Sequence, residues 1–223
     1  MIAGVDGCGD RWIAVVDSGE GRTQIRPPAG LQELFEDPEL EIVVIDVPIG
    51  LVESGPREAD LSARQFLGKR GCCVFSAPIR PILNCGSWDE ACRVRFAIEG
   101  KKISKQQFGI LDKVRDVDAV LRKTSAGNIF EGHPEVSFAL MNNGSPLLIG
   151  KKKSAGREHR TELISRCFSD ASERLSEYRL HREDTLDAYA LLWTARRIKS
   201  HKARTFPSDH TFDRLGLRME IVG

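Results

Sequence analysis

The sequence predicts an α/β domain, and three observations predict it. Two short apolar segments, 1–5 and 12–17, flank a glycine-rich turn and read as a hairpin. The run EIVVIDVPIG (41–50) is continuously apolar up to Asp46 and follows a helix candidate, as a strand covered on both faces would. Near the other end, REDTLDAYALLWTARR (182–197) carries a helical apolar stripe.

The elements follow in order. Strands are predicted over 1–5, 12–17 and 22–26, and PPAG (27–30) ends the last of these. LQELFED (31–37) is a short helix candidate, and the strand at 41–50 closes at Pro48. A helix follows over 57–70, with Ala59, Ala63, Phe66 and Leu67 among its apolar positions. VFSAPIRPIL (74–83) holds two prolines and reads as an irregular crossing. Ser87 and Glu90 form a capping pair for a helix over 87–100. Ile110, Val114, Val117 and Leu121 recur at helical spacing within 104–123. A strand at 127–132 ends near Glu131, and Pro134 starts a helix through 141. Helices over 155–168 and 182–199 complete the set. The simplest account is one domain over 1–223 with a mostly helical insertion at about 55–125.

Composition excludes several classes. Charged residues make up 29% and the formal net charge is +1, so overall charge does not announce a nucleic-acid partner. Local charge is less even, with KKISK (101–105) and KKKSAGREHR (151–160) strongly basic. Such runs are more often solvated faces than binding sites. No stretch reaches the apolar length of a membrane span, and the N-terminus enters a strand without a signal-like segment, so a cytoplasmic protein is expected. The six cysteines show no CxxC spacing and no histidine completes a zinc pattern, so reduced thiols are expected and a disulfide is not required.

The carboxylates carry the functional argument. Asp6 and Asp46 end two candidate strands, and sites in α/β folds gather at such ends. Asp184 and Asp187, three apart on a helix, share a face. Asp184 is accounted for by the helix dipole alone; Asp187, beyond the first turn and beside the apolar stripe, is not. Four gathered carboxylates need counter-charge, and Mg²⁺ or Mn²⁺ suits oxygen ligands. Two such ions would support phosphodiester hydrolysis. Asp6 also has a plain alternative as a turn-stabilising residue. Glu131 and His133 are further catalytic candidates, as a metal ligand and a proton donor or base. They have structural alternatives, His133 as a turn residue above all. Arg157 and Arg160, with Lys151, Lys152 and Lys153 just before them, and Arg80 between two prolines are the candidate phosphate contacts. Cys8 is read as a small packed residue rather than a nucleophile.

The chain resembles the family called domain of unknown function 429, whose members are predicted RNase H-like nucleases. The resemblance rests on GVDGC (4–8), IDVPIGL (45–51), LGKR (67–70), VFSAP (74–78), EGHPEVSF (131–138), KKKSAGREHR (151–160) and DTLDAYALLWTARR (184–197). It implies an RNase H-like sheet of order 3-2-1-4-5 with strand 2 antiparallel. It also implies metal carboxylates at Asp6, Asp46 and the pair Asp184 and Asp187, similar to resolvase-type relatives that cut branched DNA. Structured DNA or RNA would then be the partner, and a homodimer is left open. Two other classes stay open: a nucleotide phosphoryl-transfer enzyme of the actin-like fold, and a catalytically silent nucleic-acid- or protein-binding module.

Overall fold

A computed structural model describes residues 1–123 and 127–223. Among these residues the main sheet has five strands: β1 (Ile2–Cys8), β2 (Arg11–Asp17), β3 (Thr23–Arg26), β4 (Ile42–Ile45) and β5 (Ile129–Glu131). Their order is β3-β2-β1-β4-β5. β2 is antiparallel to β1 and β3, whereas β1, β4 and β5 are parallel. This is the mixed RNase H-like sheet that the resemblance implied.

Helices α1 (Leu31–Phe35), α2 (Glu58–Leu67), α3 (Trp88–Glu99), α4 (Lys105–Gly109) and α5 (Leu111–Leu121) precede β5. Four of them, α2 to α5, form the helical insertion after β4. Its expected end, near residue 125, lies outside the described residues. The predicted helix over 104–123 is broken: α4 has its own capping box from Ser104 and Gln107, and α5 restarts after Ile110. After β5 come α6 (Pro134–Met141), α7 (Ser154–Cys167), α8 (Ala171–Glu177) and α9 (Arg182–Lys199), then a two-stranded pair, β6 (Thr205–Phe206) and β7 (Ile221–Val222).

The strand alternation sorts the core into two layers. Ala3, Val5, Ala14, Val16, Val43 and Ile45 face one side and pack with Leu31, Leu34, Val114 and Val117 of α1 and α5. Ile2, Ile13, Val15 and Val44 face the other and pack with Leu163 and the apolar stripe of α9. α9 lies across β1, β2 and β4, and all ten residues buried on it fall between Thr185 and Ala195. Gly4 makes the close approach. A Cβ there would overlap the backbone of Leu192 and Ala188, so helix and strand touch main chain to main chain. Gly4→Ala is therefore expected to destabilise by about 3 kcal/mol or more in urea denaturation, since two backbones must part. Gly109→Ala, with open space around the added methyl, should be neutral or mildly stabilising.

Candidate functional site

The alternation that builds the core also aims the acidic residues. Asp6 and Cys8 share the face of Gly4, toward α9. Asp46 follows Ile45, so it shares the face of Val44, again toward α9. Its backbone N–H donates to Val5 O at 3.1 Å, which ties it to β1. α9 meets Gly4 near residues 188–192 and Cys8 near Asp184, so it runs opposite to β1. Its N-terminal turns thus lie at the strand ends, where the helix dipole favours negative charge.

Asp6 and Asp187 are buried and Asp46 is half-buried. Burial raises the Asp6 carboxyl, and the charges of Asp187 and Asp46 raise it further. Burial likewise pushes Asp46 up, and it pushes Asp187 up to about 6. The counter-charge is Lys151, whose Nζ lies 2.5 Å from Asp187 Oδ2 and lowers all three carboxyls. A second ammonium approaches from the opposite layer. Lys113 of α5 passes beneath Gly7, stacks on the Trp12 ring at 4.2 Å and donates to Arg11 O at 3.0 Å. Asp6, Cys8 and Asp184 all act electrostatically on it. A Cβ at Gly7 would lie 2.5 Å from the Lys113 Nζ and would push that flexible side chain aside.

Asp184 groups with Cys8 and His181. Its oxygen, Cys8 Sγ and a ring nitrogen of His181 lie within 4.8 Å of one another, a group that could hold a metal ion. Cys8 Sγ is 2.9 Å from His181 Nδ1. Burial, followed by hydrogen bonding to Asp184 and the charges of Asp184 and Asp6, pushes the Cys8 thiol up to about 11. No zinc pattern in the sequence spacing marks this group, which forms only in the fold. The partners are 173 positions apart, and short spacing motifs do not register such pairs.

Several other expectations change. Glu131 pairs with Ile45 in the parallel register, so it faces the layer opposite Asp46. There it lies in a buried ion pair with Arg57 at 2.5 Å and accepts from Ile49 N at 2.7 Å. That environment is structural and takes Glu131 out of the acidic cluster. Arg160 is fully buried, 2.6 Å from Glu135, and donates to Ile149 O and Gly156 O. Arg80 is buried between Asp118 and Asp213. Neither guanidinium is free for a phosphate. Lys153 is exposed at the start of α7. Arg157 is half-buried, braced on Lys151 O and Lys152 O and 3.7 Å from Glu183. His133 caps α6 by accepting from Glu135 N at 3.2 Å, and its other ring nitrogen lies 3.3 Å from Cys73 O. Lys151, expected beside the phosphate contacts, instead pairs with Asp187, and Lys113 is a site residue that sequence reasoning does not find. Lys151 opens the visible lysine run, whereas nothing in the spacing marks Lys113.

Asp6, Asp46 and Asp187 offer only oxygen donors, the chemistry that Mg²⁺ and Mn²⁺ require, and their mutual repulsion is what a cation would relieve. The donor set therefore fits such an ion. Among the described residues no helix is long and apolar enough to cross a membrane. A family model described as a protein of unknown function (DUF429) matches residues 4–211. No curated protein and no solved structure matches the chain.

Proposed function

The chain belongs to the DUF429 family, and from that premise and its site we propose that it is a cytoplasmic, divalent-metal-dependent phosphodiesterase acting on structured DNA or RNA. One observation carries the reading: Asp6, Asp46 and Asp187 converge from two parallel strands and a helix onto one sheet edge, where burial and mutual charge hold their carboxyls up. Mg²⁺ or Mn²⁺ would supply a Lewis acid that activates water and stabilises the leaving oxygen. The chain supplies the rest. Asp6, Asp46 and Asp187 offer the ligand oxygens. Lys151 holds Asp187 in place and offsets part of the cluster's negative charge. Arg157 and the exposed Lys152 and Lys153 meet the phosphate backbone, and His133, at the start of α6, serves as the proton carrier.

The test is a cleavage panel on single strands, duplexes, RNA–DNA hybrids, four-way junctions and ATP. Cleavage of a structured nucleic acid is expected with Mg²⁺ or Mn²⁺ and not with chelator. Calorimetry should show weaker Mn²⁺ binding by Asp46→Asn. ATP turnover without nucleic-acid cleavage would replace this reading with phosphoryl transfer. Cleavage at an unchanged rate in Asp46→Asn would reject the site.

A further inference from the structure

Cys8, His181 and Asp184 come from the last residue of β1, the turn before α9 and the first turn of α9. Two arrangements could use a cysteine, a histidine and an aspartate. In a nucleophile relay the histidine sits between the other two, with the carboxylate on its far nitrogen to orient the base. Here Nδ1 of His181 faces the sulfur at 2.9 Å, and the Asp184 oxygen lies within 4.8 Å of both rather than on the far side of the ring alone. The three donor atoms converge within 4.8 Å of one another rather than forming a chain. Convergence of sulfur, imidazole nitrogen and carboxylate oxygen describes a coordination sphere.

The donor types then select the ion. Thiolate and imidazole favour borderline and soft transition ions, while oxygen-only sets favour Mg²⁺ and Mn²⁺. We infer that Cys8, His181 and Asp184 form a binding site for a thiophilic divalent ion of the Zn²⁺ class, separate from the oxygen-only cluster of Asp6, Asp46 and Asp187. Three protein ligands leave the fourth tetrahedral position open, and His181 is exposed, so the ion enters from solvent. On binding, the Cys8 sulfur becomes a thiolate and its proton passes to solvent.

Co²⁺ titration of the metal-free full chain tests this without recourse to activity, so its outcome is independent of the proposed hydrolysis. A near-ultraviolet thiolate-to-Co²⁺ charge-transfer band should grow to one ion per chain, be displaced by Zn²⁺ and survive excess Mg²⁺. Cys8→Ser should abolish the band. His181→Gln, a change at an exposed position that leaves the core untouched, should raise the Co²⁺ dissociation constant about tenfold or more. Asp46→Asn should leave the band in place. Absence of the band in the unmodified chain would overturn the assignment. So would a band that persists in Cys8→Ser and vanishes in Cys72→Ser, or unchanged affinity in His181→Gln.

Discussion

Asp6→Asn is expected to raise the melting temperature at neutral pH while lowering metal-dependent cleavage by at least about a hundredfold. The two effects share one cause. Asp6 is held as a carboxyl whose ionisation is opposed by burial and by Asp187 and Asp46. A carboxyl raised on folding makes the folded state bind more protons than the unfolded chain. Stability is then highest at low pH and falls as pH rises from the unfolded value, near 4, through the folded one. For Asp187 that upper limit is about 6. An amide at position 6 cannot ionise, yet its oxygen can still accept from Gly7 N, now 2.7 Å from Asp6 Oδ1. The gain should be present above the folded pKa and should shrink toward zero below pH 4. Melting curves at pH 4 and pH 7.5 decide the matter. Equal destabilisation at both would make Asp6 a turn residue and nothing more.

Arg57→Met should cost about 3–5 kcal/mol and lower the melting temperature by about 10 °C or more. Arg57 is almost fully buried. It lies 2.7 Å from Asp60 and 2.5 Å from Glu131, and it donates to the carbonyls of Ile49 and Gly50 at 2.9 and 3.2 Å. Removing it leaves two carboxylates buried without their cation. Glu131 already sits where burial pushes its carboxyl up against the pull of Arg57. The double variant Arg57→Met with Glu131→Gln should recover part of the loss, because a buried amide costs less than a buried charge. Urea denaturation of both variants checks this. A single variant within about 1 kcal/mol of the parent would show that the network contributes little.

What the sequence disclosed follows physical scale. The runs at 2–5, 13–16 and 42–45 are long and apolar enough to announce themselves, and Asp6 and Asp46 sit where those runs stop. Glu131 misled because it too ends an apolar segment; only the register, Ile45 beside Glu131, reveals that it is one step short of Asp46 and on the other face. Arg160 reads as part of a basic surface, but Gly156 lets α7 press on residues 149–150, and that contact closes over it. β6 and β7 are two residues each, too short for any periodicity. α8, ASERLSE, buries only Ala171 and Leu175, so its apolar face is too thin to signal a helix. Cys8 and His181 meet only once α9 is laid along β1.

The main-chain contact at Gly4 has a consequence for how this protein can change. The spacing between β1 and α9 is set there by backbone atoms, not by the girth of side chains. Asp6 and Cys8 on the strand and Asp184 and Asp187 on the helix are thus held on a rigid gauge. The surrounding core can drift among residues of similar volume without detuning the distances between those groups. Tolerance of sequence change and precision at the sheet edge are thereby uncoupled, and position 4 is where that freedom ends.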